Sequence, residues 1–351
     1  MIGTALLGSD IENKVLRVLQ EGIPLEIEPF KTLSRDLDIE EDYFIEVIHD
    51  LKERKIIRQI SPIYDTRMLG YDSLLVAFKI SPGNIDSVAE LINSHPGVSH
   101  SYERNHSFNL WFTLAIPPDS RFGPEGTVEA LASTSGVREY LILRAKRVFK
   151  IELRLDPEGS GLEQGKCRAE RKEFPSAFLT EEQKEIIRVT QEDMPVVKMP
   201  FSLYAMRLGI DEGDLLKRLD EFREKGIMRR FAAVLYHRNA GFSANGMVVW
   251  RVPASRLEEV GLKIASYRAV SHCYERTTNS HWPYNLFSMI HAKERERVRE
   301  IVEEIQRETA IDDYAILYST REFKKRRVRY FEKDFYEWEA RFNGRAESFL
   351  L

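Results

Sequence analysis

The sequence predicts an α+β chain of two tandem repeats, each a winged helix-turn-helix followed by a ferredoxin-like β-α-β-β-α-β domain. Three observations predict it: an internal duplication, a change of hydrophobic period within each copy, and a stretch with no period between the copies. Gly22–Phe30 lies over Asp193–Phe201 with both prolines and the phenylalanine matched, and the same register carries Leu37 onto Leu208, Ile56 onto Ile227 and Gly70 onto Gly241. Asp156–Phe178 is rich in Gly, Pro and charge without apolar spacing and reads as a linker. The expected domains are 1–60 and 179–231 for the helix-turn-helix segments, 61–155 for the first ferredoxin-like domain, and 232–351 for the second with a C-terminal extension.

Within the first copy, apolar residues at helical spacing mark Ile11–Gln20, Phe30–Leu37 and Asp42–Lys55. β-branched and apolar residues mark Ile56–Tyr64 as a strand. Then follow strand Ser73–Ile80, helix Ile85–Ser94, strands Ser99–Arg104 and Asn109–Ile116, helix Pro124–Ser133 and strand Glu139–Glu152. The second copy repeats the order with Gly246–Val252, Ala254–Tyr267, His272–Thr277, Tyr284–His291, Lys293–Glu308 and Asp313–Phe323. A sheet with helices on one face leaves the other open, so the two sheets are expected to cover each other about a pseudo-two-fold axis.

The 351 residues carry a net charge of −4, which excludes an overall basic field of the kind that draws a protein to nucleic acid or anionic membrane. The presumptive recognition helices, Glu40–Arg54 and Asp211–Lys225, both begin with acids, where phosphates would repel them. No specific DNA binding is expected, although the architecture by itself matches a transcriptional regulator. Two cysteines, Cys167 and Cys273, make no disulfide framework or C-x-x-C pair. Neither an export signal nor a membrane-spanning run is read from the sequence, and the expected setting is the cytoplasm.

Chemistry-bearing residues gather in Val270–His291, VSHCYERTTNSHWPYNLFSMIH, and in a shorter copy, Val98–Ile116, VSHSYERNHSFNLWFTLAI. Alternation on a strand puts His272, Tyr274 and Arg276 on one face, and likewise His100, Tyr102 and Arg104. An imidazole, a phenol and a guanidinium in a row suit an anionic ligand: the fork anchors carboxylates, the phenol donates a hydrogen bond, and the imidazole exchanges a proton near neutrality. A polar sheet face paired across the pseudo-dimer is the alternative. The spacing of a dedicated zinc site is absent; a single histidine acting as axial ligand to a porphyrin-type iron needs no motif. Arg67 and Arg238 stand at matched positions before each sheet, with His237 beside the second. Cations recur at each domain's end, in Arg144–Lys150 and in the run from Lys324 and Lys325 to Arg327.

VSHCYER with WPYNLFSMIH, preceded by YHRNAGF and followed by LYSTREFKK, resembles the histidine-richer subunit of the siroheme decarboxylase family. PIYDTRMLGY, HPGVSHSYER and NLWFTLA in the first half resemble its partner subunit. The resemblance covers nearly the whole chain outside the linker, and it carries the architecture of the Lrp/AsnC regulators. It implies a fused enzyme that removes CO2 from the C12 and C18 acetate side chains of siroheme to give 12,18-didecarboxysiroheme, toward heme or heme d1. It implies no added cofactor, because the iron travels with the substrate. His272 and His100, then His237 and His291, are the expected acid or carboxylate-orienting groups. Arg276, Arg104, Arg238, Arg67, Lys324 and Lys325 are the expected carboxylate partners, and Tyr274, Tyr102 and Tyr284 the hydrogen-bonding phenols. Trp282 or Phe287 is expected to pack a macrocycle face. A DNA-binding regulator of the Lrp/AsnC type and a heme-binding sensor without catalysis are the competing functions. The first half lacks WPY and a counterpart of His291, so one productive pocket centred on the second half is expected.

Overall fold

The computed structural model describes residues 10–151, 179–236 and 244–346. In chain order the first half contains α1 (Asp10–Glu21), α2 (Pro29–Asp36), α3 (Glu41–Glu53), β1 (Ile57–Tyr64), β2 (Asp72–Phe78), α4 (Ile85–Ser94), β3 (Val98–Arg104), β4 (Leu110–Ile116), α5 (Gly123–Ser135) and β5 (Tyr140–Ile151). The second repeats that order as α6 (Glu181–Thr190), α7 (Pro200–Leu208), α8 (Glu212–Glu224), β6 (Met228–Leu235), β7 (Ala244–Trp250), α9 (Leu257–Ser266), β8 (Val270–Arg276), β9 (Leu286–Ala292), α10 (Arg295–Thr309) and β10 (Tyr314–Lys325). A further helix, α11 (Lys333–Ala346), lies where the sequence suggested only an extension. The expected linker 156–178, His237 and Arg238 lie outside the described residues.

The chain divides into two compact units, one gathering both helix-turn-helix segments and the other both ferredoxin-like domains. In the first unit Pro29 and Pro200 open α2 and α7 in the first turn, where a missing N–H leaves no helical bond unmade. Thr180 closes the start of α6 with a capping box through Gln183. Val15, Leu19, Phe30, Phe44, Ile48 and Leu51 point from three helices into one core. The wing strands β1 and β6 pair with each other, antiparallel, with Ile60 opposite Ala233.

The second unit is a closed eight-stranded barrel in the order β10-β3-β4-β2-β5-β8-β9-β7. Its closure comes from the two longest strands. β5 pairs with β2 through Tyr140–Arg144 and with β8 through Ala145–Ile151; β10 pairs with β7 through Tyr314–Tyr318 and with β3 through Ser319–Lys325. Each half thus lends its last strand to the other half's sheet. Phe149 anchors one crossing beneath α9, where a Cβ on Gly261 would stand 2.4 Å from its ring. Helices cover the outside of both sheets. Between the sheets, Trp111, Leu141, Leu143, Val249, Trp282, Phe287 and Leu317 fill the interior. The N-L pair shared by the two copies has a structural use: the Asn109 side chain bonds the backbone of Ile80 in both directions, and Asn285 does the same to Val252.

Candidate functional site

The site is built by a β-bulge that occurs twice. Val98 faces Leu114 and Val270 faces Ile290, all four in the cores beneath the helices. A register shift then follows at Ser99 and at Ser271, so His100 pairs with Thr113 and His272 with Met289. One inserted residue reverses the side on which the next side chains emerge. Tyr102 consequently lies opposite Trp111 and Tyr274 opposite Phe287, both inside the barrel. V-S-H therefore places valine in the helix-side core and histidine on the inner face. The two His-Tyr-Arg rows face the interior from opposite halves of one barrel.

Burial makes this face electrostatically tense. The Arg104 side chain is 5% exposed; its Nη1 donates to the Leu317 carbonyl at 2.9 Å, while its Nε has no partner. Arg276 is partly buried and makes the same bond to the Leu143 carbonyl at 2.9 Å, its Nε again enclosed without a partner among the described residues. Each lies over its own tyrosine, Arg104 at 5.6 Å from the Tyr102 ring and Arg276 at 4.9 Å from that of Tyr274. Neither guanidinium has a carboxylate partner among the described residues, and burial pulls both down to about 10. They remain charged at neutral pH, with no counter-ion among the described residues. Burial, and then Glu322, push the Tyr102 phenol up to about 12, so it stays a donor.

The second half adds a chain of hydrogen bonds. Ser271 Oγ lies 2.8 Å from His272 Nδ1 and 2.7 Å from His291 Nε2, and His291 Nδ1 lies 2.7 Å from Asn245 Oδ1. Burial lowers His272 below the ordinary imidazole value, with His100 and Arg276 adding to the effect. His291 falls to about 4 through burial, His272 and Lys325. Both are neutral imidazoles at neutral pH. In the first half Ser99 Oγ lies 3.0 Å from His100 Nδ1 and 2.7 Å from Thr113 Oγ1. Ser271, Asn245, Ser99 and Thr113 are not among the expected site residues. The one signal for them in the sequence is the serine that precedes each histidine in V-S-H.

Other expected residues stand elsewhere. Lys324 is turned away from the site: its ammonium donates to the Asn93 and His95 carbonyls at the end of α4, where the helix dipole favours a cation. Lys150 does the same for the Tyr267 carbonyl beyond α9, so the repeated lysine is a helix cap. Lys325 pairs with His100 across β10 and β3 and is half exposed. Trp282, expected with Phe287 as a candidate to pack a macrocycle face, stands inside the barrel. It is 1% exposed, enclosed by His106, Phe108, Trp111, Tyr284 and Phe287, because the WPY loop folds into the barrel. Phe287 is likewise buried and Tyr284 half-buried against the same cluster. Arg67 is exposed on the helix-turn-helix unit. His95, outside the expected set, is fully buried against Phe335 and Trp338 of α11, with burial lowering it to about 3. No group of three or more His, Cys, Asp or Glu among the described residues could hold a metal ion.

Comparison with known proteins fits this arrangement. An AsnC-like ligand binding domain matches residues 68–150 and 239–324, and a siroheme decarboxylase NirDL-like helix-turn-helix domain matches 12–58 and 183–229. A siroheme decarboxylase from Hydrogenobacter thermophilus is 46% identical over 95% of this chain and 98% of its own length. The chain belongs to the siroheme decarboxylase family. Siroheme decarboxylase NirDL, solved in complex with an iron-uroporphyrin III analogue, superposes with a TM-score of 0.81 at 42% identity, covering 95% of this chain and 99% of that one. The siroheme decarboxylase beta subunit of Methanosarcina barkeri is 41% identical over 41% of this chain and 95% of its own length. This member of the siroheme decarboxylases is accordingly a single-chain, fused form of an enzyme that also occurs as separate subunits. No helix among the described residues is long and apolar enough to cross a membrane.

Proposed function

We propose that this chain removes CO2 from the acetate side chains on C12 and C18 of siroheme, giving 12,18-didecarboxysiroheme for heme or heme d1 formation. The observation that carries the reading is the pair of guanidiniums of Arg104 and Arg276, neither with a carboxylate partner among the described residues, each beside a tyrosine and a histidine on the inner face of one barrel. A desolvated arginine without a carboxylate is costly in the empty protein, and a polycarboxylate tetrapyrrole supplies the missing charge. Tyr102 and Tyr274 donate hydrogen bonds to the bound ligand. Decarboxylation leaves an electron pair on a methylene carbon conjugated to a pyrrole, and that carbon must receive a proton. His272 is the donor, with His100 orienting a carboxylate from the opposite row. In the empty site His272 is neutral; a carboxylate arriving beside it raises its proton affinity, so substrate binding charges the acid that it needs. The protein needs no cofactor of its own on this reading, since the iron belongs to the substrate.

The acid-led starts of α3 and α8 and the mutual pairing of the wings speak against a DNA reader. Anaerobic incubation with siroheme followed by mass spectrometry tests the proposal. Two successive losses of CO2 are expected. Siroheme bound and recovered unchanged would make the protein a tetrapyrrole-binding sensor instead.

A further inference from the structure

The duplicated site is unequal in its hydrogen bonds. In the second half Asn245 pairs with His291 across β7 and β9, and His291 reaches His272 through Ser271. In the first half the same register positions hold Ser73 and Ala115, and the hydroxyl of Ser99 ends on that of Thr113.

A carboxamide oxygen only accepts hydrogen bonds, so the Asn245 carbonyl requires a proton on His291 Nδ1. A neutral His291 then has a lone pair on Nε2, which must accept from the Ser271 hydroxyl. That hydroxyl has spent its only proton and can only accept from His272 Nδ1–H. With the Asn245 carbonyl on His291 Nδ1, and with the Ser271 hydroxyl given to His291 at 2.7 Å rather than to the Met289 carbonyl at 3.5 Å, the assignment leaves the lone pair of His272 on Nε2. Ser99 and Thr113 are both hydroxyls that donate or accept, so that pair does not by itself dictate the tautomer of His100.

We propose that Asn245, His291 and Ser271 are positioning residues that hold the proton of His272 on Nδ1, so that Nε2 faces the ligand and carries the proton delivered after each CO2 leaves. The inference rests on the decarboxylase reading above. In each turnover the bond between the acetate methylene and its carboxylate breaks, CO2 departs, and the electron pair stays on carbon. The Nε2 proton of the charged His272 forms the new C–H bond and leaves a neutral imidazole with Nδ1–H still bonded to Ser271. A proton from solvent recharges Nε2. Charged and titratable groups beside the chain include His100, Arg276 and Tyr274 toward His272, and Lys325 with Glu322 toward His291. From β5, Ile151 pairs with His272, and Lys150 points away to Tyr267. Lys325 in turn lies 3.9 Å from Glu322, and burial with His272 and Lys325 holds His291 low.

Two measurements on the full chain test this. Two-bond 1H–15N correlation of histidine-labelled, unliganded protein should show His272 as the Nδ1–H tautomer, and Ser271→Ala should turn it into a mixture. With siroheme, Ser271→Ala should lose about 10–100-fold in kcat with KM held within about threefold, and Ser271→Thr should regain most of the loss. Asn245→Asp should raise the proton affinity of His291 and move the acidic limb of the rate profile up by about one pH unit. An Nε2–H tautomer in the parent protein would overturn the proposal. So would a well-folded Ser271→Ala with parental kcat, or an unmoved Asn245→Asp profile. A parent protein that leaves siroheme intact would take down the decarboxylase reading, while the tautomer spectrum would still decide the positioning chain.

Discussion

The row His100, Tyr102, Arg104 and the row His272, Tyr274, Arg276 arise from the same bulge, pair with neighbours in the same register and bond their arginines to a backbone carbonyl of the other half. What differs is what stands behind the histidine and across from it. Behind His272 lie two further groups ending on Asn245, whereas behind His100 lies Thr113. Across from Tyr274 is Val148, and across from Tyr102 is Glu322. On the proposed reading, duplication kept the groups that hold an anion and diverged in those that handle a proton, so that anchoring belongs to the whole barrel and proton delivery to one half.

The largest test of that contrast is His272→Ala, expected to lower kcat at saturating siroheme by about 10²–10⁴-fold while the fold is retained. His100→Ala should cost clearly less; equal losses in steady-state assays would mean that both halves deliver protons. Arg276→Met and Arg104→Met come next. Each should weaken siroheme binding by about 10–100-fold in a spectroscopic titration, since charge-assisted hydrogen bonds are worth about 1.5–3 kcal/mol. Each should also keep or raise the melting temperature of the unliganded chain, because a buried charge without a counter-ion is removed. A melting temperature that falls with both would show that the arginines are there to build the barrel.

Much of this was legible in the sequence, and the remainder was not for identifiable reasons. Spacing marks the helices and strands, and the matched prolines and V-S-H-x-Y-E-R frames reveal the duplication, because both are local. The bulge at Ser271 is a pairing event between β8 and β9, and alternation within one strand does not contain it. Lys324 looks like one more cation in a basic run until the end of α4 is found beneath it. That Trp282 is enclosed depends on the loop that carries it turning inward, which spacing along the chain does not contain. α11 has aromatic residues at helical spacing, yet its partner surface, around His95 and the first sheet's helices, is remote in sequence.

Smaller effects follow from the buried imidazoles. His291 and His95 have folded values of about 4 and about 3, below the ordinary value near 6.5. The unfolded chain takes up protons first as pH falls, so stability is full above about 6.5 and declines toward the folded values. Below those both states are charged and the slope ends. Each histidine contributes about 1.4 kcal/mol per pH unit inside its window. Chemical denaturation between pH 7 and pH 4 should show this slope, and His291→Gln should make it shallower. The smallest expected effect is on DNA: no sequence-selective binding at physiological salt, checked by fluorescence anisotropy with the promoter of its own gene. Selective, salt-sensitive binding would restore a regulatory role to the helix-turn-helix segments.

The exchange of β5 and β10 between sheets also bears on how such a protein can be made. Were the chain severed between its halves, each piece would present a sheet whose histidine-bearing margin, β3 or β8, had lost the strand that satisfies its backbone, and such margins recruit wrong neighbours. Joining the halves covalently fixes their ratio at one to one and raises the local abundance of the correct strand to roughly millimolar. Fusion here is a form of quality control, securing the mate of each histidine strand before a stranger can take its place.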